Sequence, residues 1–224
     1  LLAFAAGVAG QVTMAQAQCP VPSNLPRLVI NVQVPEPTIT YHHDVDLFGL
    51  PKLEHHSERP PAGFVVLGLT KLSDHWSLAY QAAEVQLRDG RQCIWLTRID
   101  ALLGDPVMNV YVASEYAPDT CEYKVILNHE NTHVRFNIET LHDWLPSVQA
   151  ALTEAAKHKF PAIFAEPPSN EDVRHYLLDN MQAVFDLMSE DLAKRNATID
   201  TLENYRRENA KCRNWSRHGF KLDH

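Results

Sequence analysis

The 224-residue chain predicts an α+β fold: an antiparallel β-rich region at the front, packed on a C-terminal pair of long helices. Three observations carry this. Residues 27–113 divide into short apolar or alternating runs rich in β-branched residues, separated by Pro and Gly. Residues 121–145 contain neither Gly nor Pro and repeat apolar residues at helical spacing. A second stripe of that kind follows a Pro-rich break at 160–168. One domain over residues 18–224 is expected, β-rich over 18–115 and helical over 119–224.

The first seventeen residues stand apart. Leu1–Val12 is the apolar core of a secretory signal, and Ala15-Gln16-Ala17 supplies a small-x-small cleavage site. The charged leading part of such a signal is missing, so the chain starts part-way into it. An exported protein, periplasmic or extracellular, is the expectation.

Arg27–Val34 then alternates as a strand and stops at Pro35 and Pro37, and Thr38–Leu47 is a second strand. Residues 50–62, with Pro51, Pro60 and Pro61, form a loop. Gly63–Thr70 reads as a strand, whereas Trp76–Leu87 fits strand or helix. Asp89-Gly90 is a hairpin signal leading into Gln92–Arg98, and Gly104-Asp105-Pro106 turns the chain into Val107–Ala113. The helix over 121–145 is expected to start with an Asp119/Glu122 capping box. It continues past Pro146, kinked there, to about His158. Ser169 with Asp172 caps the second helix, whose stripe is Val173, Leu177, Met181, Val184, Met188 and Leu192. That helix extends through Ile199, Leu202 and Tyr205 to near Cys212.

Composition excludes several functions. Hydrophobic content of 45% and charged content of 21% are those of an ordinary globular protein. The net charge of −8, with scattered basic residues, argues against nucleic acid and anionic membranes as partners. No stretch is long and apolar enough for a permanent membrane span. Cys19, Cys93, Cys121 and Cys212 suggest two disulfides in an exported chain, with three connectivities open. A Cys93–Cys121 bridge would tie helix to sheet, and Cys19–Cys212 would then tie the termini.

Chemistry concentrates at His129-Glu130-Asn131-Thr132-His133. On a helix, histidines at i and i+4 lie one turn apart and can grip one metal ion, with Glu130 beside the first. Glu130 sits on a stripe of Tyr123, Leu127, Val134, Ile138, Leu141 and Leu145, all apolar. The two histidines sit between Ile126 and Phe136. A carboxylate on an apolar stripe is costly unless it is paired, protonated or used. The competing reading makes both histidines hydrogen-bonded core residues and Glu130 the partner of an arginine. His42-His43 and His55-His56 are neighbours on extended chain and point to opposite faces, so they do not chelate together. Asn196-Ala-Thr and Asn214-Trp-Ser match the glycosylation pattern.

The HExxH run resembles that of the zincin metallopeptidases. The overall plan is similar to small exported bacterial families described as secreted zinc-dependent proteases. The specific likeness covers about twenty residues around the motif. Leu127, Asn131, Thr132 and Val134 fit the zincin preference for uncharged residues, and Arg135 departs from it. Phe136 and Glu139 stand where metzincins place a glycine and a third histidine. The resemblance therefore implies a third ligand from the second helix. If the helices pair antiparallel about residue 164, residue 131 faces roughly residue 197. Asp191, Asp200 and Glu203 are then the leading candidates, with Glu139 and His175 behind them.

The resemblance also implies the activity. Zn2+ held by His129 and His133 would activate water, with Glu130 as general base, to hydrolyse a protein or peptide substrate. An edge strand beside the helix would pair with extended substrate, a role that Val107–Ala113 could take. Two alternatives come from other classes. One is a periplasmic binding or assembly protein with a structural or inactive metal site. The other is a metal-free interaction domain.

Overall fold

The computed structural model describes residues 19–53, 65–72, 76–104, 106–213 and 215. The segment expected to be a signal, His55-His56, the expected strand start at Gly63 and the Asn214 sequon lie outside them. The described chain is α+β, β-rich first and helical afterwards.

Among the described residues seven strands form two sheets. Strands β1 (Val29–Gln33), β4 (Trp76–Gln86), β5 (Gln92–Leu103) and β7 (Ala162–Phe164) make one; β2 (Thr38–His42), β3 (Gly68–Lys71) and β6 (Val107–Val112) make the other. A single-turn helix, α1 (Leu50–Leu53), follows β2. Trp76–Gln86, ambiguous by periodicity, is a strand, and Asp89-Gly90 closes its hairpin with β5, Gly90 taking a positive φ of 88°.

The expected antiparallel pairing holds for β3 with β6, β4 with β5 and β5 with β7, and is corrected for the first two strands. β1 runs parallel to β5 and β2 parallel to β6. Val29 opposite Arg98 and Thr38 opposite Val107 keep one offset, so the first two strands lie alongside β5 and β6 as a continuous ribbon. Both members are interrupted at the same place, around Pro35 and Pro37 on one side and Gly104 and Pro106 on the other. Hairpin signals encode only local pairs. Pairing between strands so far apart in sequence leaves no local trace.

One helix spans both sheets. α2 (Cys121–Lys159) begins at Thr120, whose side chain accepts from the Tyr123 N–H; this replaces the expected Asp119/Glu122 box. It runs on through Pro146, which is exposed and lacks an N–H for the carbonyl of His142. The first half of α2 lies over the three-stranded sheet, with Val134 against Met108 and Val110 and with Ile126 against Val112 and Tyr116. Its second half lies over the other sheet, where Val148 and Leu152 meet Ile99 and Leu103.

The second long helix is three helices. α3 (Asn170–Asp179) starts with the expected Ser169/Asp172 capping box, α4 (Gln182–Ala197) follows after a turn at Asn180-Met181, and α5 (Leu202–Asn209) starts at Thr201. Val173, Leu177, Met181 and Met188 of the expected stripe are buried in the larger core. The break at Thr198–Thr201 ends α4, and the Thr201 side chain caps α5 by accepting from Asn204. Arg195 on α4 reaches Asp143 on α2 at 2.7 Å, and Asp191 takes the Trp144 indole N–H at 3.0 Å. These contacts fix the end of α4 beside the first half of α2.

The disulfides are Cys19–Cys93 and Cys121–Cys212, not the helix-to-sheet and terminus-to-terminus pairing of the sequence reading. Helix length decides this. Cys93 pairs across the sheet with Ile163, just past the end of α2, whereas Cys121 opens that helix. At 1.5 Å rise per residue the two ends of α2 are roughly 55 Å apart. Among the described residues no helix is long and apolar enough to cross a membrane.

Candidate metal centre

α2 carries the motif on two faces. His129 and His133, one turn apart, point toward the turn after α4 and toward α5, while Glu130 points to β3 on the sheet side. Asp200, in the Thr198–Thr201 break, completes a cluster with the histidines. Of the five candidates for a third ligand, Asp200 is the one that the fold brings there. Asp191 is occupied by Trp144 and Arg195, Glu139 pairs with Arg135, His175 pairs with Glu171, and Glu203 lies on the exposed side of α5.

The cluster is an almost equilateral triangle. His129 Nε2 and His133 Nε2 are 3.1 Å apart, and Asp200 Oδ1 lies 3.2 Å from the first and 3.3 Å from the second. Donors about 2.0–2.1 Å from a tetrahedral ion are spaced about 3.3 Å from one another. The donor set therefore fits a metal ion.

The opposite ring nitrogens show which lone pairs are available. His129 Nδ1 donates to Glu208 Oε2 at 3.0 Å, because a carboxylate only accepts. His133 Nδ1 lies 2.9 Å from Asn196 Oδ1 and donates to it. In the neutral imidazoles both Nε2 atoms are then bare, and their lone pairs converge with an Asp200 oxygen. Two bare nitrogens at 3.1 Å repel unless a proton or a cation lies among them.

Electrostatics in the metal-free protein follow from that crowding. Burial works to lower the His133 pKa, but hydrogen bonds to Asp200 and Asn196 outweigh it and bring the group up to about 9. His129 is also raised: burial opposes the shift, and Asp200 and Glu130 drive it. Asp200 is held well below the usual carboxylate range; burial pushes it up, and the bonds from both histidines prevail. The Tyr205 hydroxyl donates to Asp200 Oδ1 at 2.8 Å and its ring packs 5.2 Å from that of His129. Burial, then the Asp200 carboxylate, pushes the Tyr205 phenol above its ordinary value.

Glu130 is 6% exposed. Burial raises its pKa, while His133 and the Thr70 hydroxyl, which donates to Oε2 at 2.8 Å, oppose the rise. Gly68 makes room for it: a Cβ there would lie 2.6 Å from Glu130 Oε1 and 2.7 Å from Ile126 Cγ2. The expected substrate strand, Val107–Ala113, is corrected here. Its β6 core is paired on both sides, by β2 and β3, while β3 pairs among the described strands only with β6 and lies beside Glu130.

Several of these residues were not legible as functional. Asn196 appears in the sequence as a glycosylation pattern, yet its side chain is committed to His133. Tyr205 reads only as one member of an apolar stripe. Tyr205 and Glu208 do share the i,i+3 spacing that places them on one face of α5. Glu208, Thr70 and Gly68 carry no signal in the sequence. Of the paired histidines elsewhere, His42 bonds Asn109 at 2.9 Å and stacks on Tyr111, and His43 bonds the Tyr116 carbonyl at 2.7 Å. Comparison with protein-family models, with curated proteins and with solved structures gives no match for this chain.

Proposed function

We propose that this protein is an exported zinc-dependent metallopeptidase of the zincin kind. The observation that carries this reading is the triangle of His129 Nε2, His133 Nε2 and Asp200 Oδ1, with the carboxylate of Glu130 on the next face of the same helix. Two imidazoles and one carboxylate are a ligand set that catalytic zinc takes. Three protein donors with Asp200 39% exposed leave a side open to a water or substrate, as catalytic zinc sites do and closed structural ones do not. Zinc in such a site supplies a Lewis acid that brings the pKa of water toward neutrality.

The chain's own residues supply the rest. His129, His133 and Asp200 hold the ion. Glu130 would take a proton from the water as its oxygen bonds to the peptide carbonyl carbon, and pass that proton to the departing amine as the C–N bond breaks. Among the described strands β3 pairs only with β6, and it runs beside Glu130, where an extended peptide would add as a strand. The disulfides and the apolar N-terminal segment with its Ala15-Gln16-Ala17 site support export.

A second reading, a structural metal in a binding or assembly protein, draws on the tight enclosure of Glu130 by Thr70 and Gly68. One experiment separates the two. Zinc per chain is measured on protein purified without a metal-binding tag, and the loaded protein is given unfolded protein substrates beside its Glu130→Gln variant. About one zinc with cleavage lost in the variant supports the peptidase; one zinc with no cleavage supports the structural reading; no zinc overturns both.

A further inference from the structure

We propose that Glu208 and Asn196 are positioning residues that together fix the tautomers of both metal-binding histidines; the role rests on the metal reading of the site. The two side chains come from different helices, α5 and the end of α4, and each meets the outer nitrogen of one ring. The distances, 3.0 Å at Glu208 and 2.9 Å at Asn196, are those of full hydrogen bonds. Each neutral imidazole has one N–H. With both protons held at Nδ1, both Nε2 lone pairs are aimed at the point shared with Asp200. A flip of either proton would put an N–H where the ion must sit.

The two acceptors are not equivalent. Glu208 is a carboxylate with 13% of its side chain exposed, so the His129 N–H is charge-assisted and its ring becomes the more basic donor. The other Glu208 oxygen lies 3.9 Å from Lys211 Nζ, outside hydrogen-bond distance, so Oε2 remains the acceptor for His129. Asn196 gives His133 a neutral acceptor of fixed direction. Asp200 and Glu208 together also bring two carboxylates to a site for a divalent cation, so the cation is balanced without a further acidic group.

The alternative is that Glu208 only pairs with a protonated His129, a contact that would stabilise the metal-free protein and oppose metal binding. The two roles have opposite signs. The experiment titrates Co2+ and Zn2+ into the full disulfide-bonded chain and into Glu208→Ala, Glu208→Gln, Asn196→Ala and Asn196→Asp. Affinity is read by competition with a chelator, and the ligand field by the visible absorption of Co2+. Loss of either partner is expected to weaken binding about 10- to 100-fold and to shift the Co2+ bands. Glu208→Gln, which keeps an acceptor oxygen without the charge, is expected between wild type and Glu208→Ala. Asn196→Asp is expected to restore what Asn196→Ala loses.

Glu208→Gln is isosteric and serves as the readable variant if Glu208→Ala does not fold. Binding and spectra unchanged from wild type in all variants, or tighter binding in Glu208→Gln, overturn the positioning role and leave the metal site standing. A wild-type chain that binds neither ion overturns the metal reading as well.

Discussion

Gly68 faces Glu130 so closely that a methyl group on it would lie 2.6 Å from the carboxylate oxygen Oε1. The strand that flanks the centre thus accommodates the glutamate by lacking a side chain. Gly68→Ala is expected to displace the carboxylate and to destabilise the fold by about 1–3 kcal/mol through overpacking against Ile126. On the proposed peptidase reading, activity should drop about tenfold or more while metal binding is kept. Equal activity in the two proteins would show that Glu130 does not act from this position.

Thr70 donates to the other oxygen of the same carboxylate. A donor to a carboxylate favours its charged form, so its loss raises a pKa that burial has already raised. Thr70→Val is therefore expected to move the acid limb of the pH–rate profile to higher pH, because Glu130 must be unprotonated to accept a proton. The check is kcat/KM against pH for both proteins. An acid limb that stays in place removes Glu130 as the group that sets it.

The metal-free protein should be most stable in mildly acid solution as far as this cluster is concerned. His133 is raised to about 9, so its contribution is complete below its ordinary value near 6.5 and is lost as pH rises through 9. Asp200 is lowered, so its contribution is present above its ordinary value near 3.8 and is lost as pH falls below that. In chelator, the difference in melting temperature between wild type and Asp200→Asn is expected to peak between pH about 4.5 and 6.5 and to shrink by pH 9. A difference that grows toward pH 9 would falsify the coupling of the two groups.

Cys121–Cys212 closes a loop that contains every residue of the centre except those on β3. Loss of a bridge across 91 residues costs on the order of 4–5 kcal/mol. The loss falls on α5, whose Tyr205 and Glu208 brace the histidines. Cys121→Ser with Cys212→Ser is expected to release metal at a lower chelator concentration than wild type, and more readily than Cys19→Ser with Cys93→Ser. Equal release from both pairs would place α5 under other control.

What the sequence makes visible here is what has a period or a local partner. The histidines at i,i+4 and the carboxylate between them follow from helix geometry alone, and antiparallel pairing of two helices brings the right stretch of chain, residues 196–200, to His133. The Ser169 capping box and the Asp89-Gly90 hairpin are equally local. Choosing Asp200 over Asp191 and Glu203 needs the break at Thr198–Thr201, which no glycine or proline marks. The parallel ribbon of β1 and β2 against β5 and β6 is settled between distant segments. The bracing of the histidines by Asn196 and Glu208 is likewise a tertiary fact, and two polar helical residues leave no pattern that distinguishes them from solvated ones.

The two disulfides follow one another along the chain, each cysteine bonded to the next: Cys19 with Cys93, then Cys121 with Cys212. A polypeptide that emerges N-terminus first therefore meets its cysteines in bonding order. The first pair is complete before Cys121 appears, and Cys121 then has one thiol to wait for. Oxidation in order of appearance yields the native connectivity with no exchange of partners. A nested pairing would have required Cys19 to remain a thiol while Cys93 and Cys121 passed it.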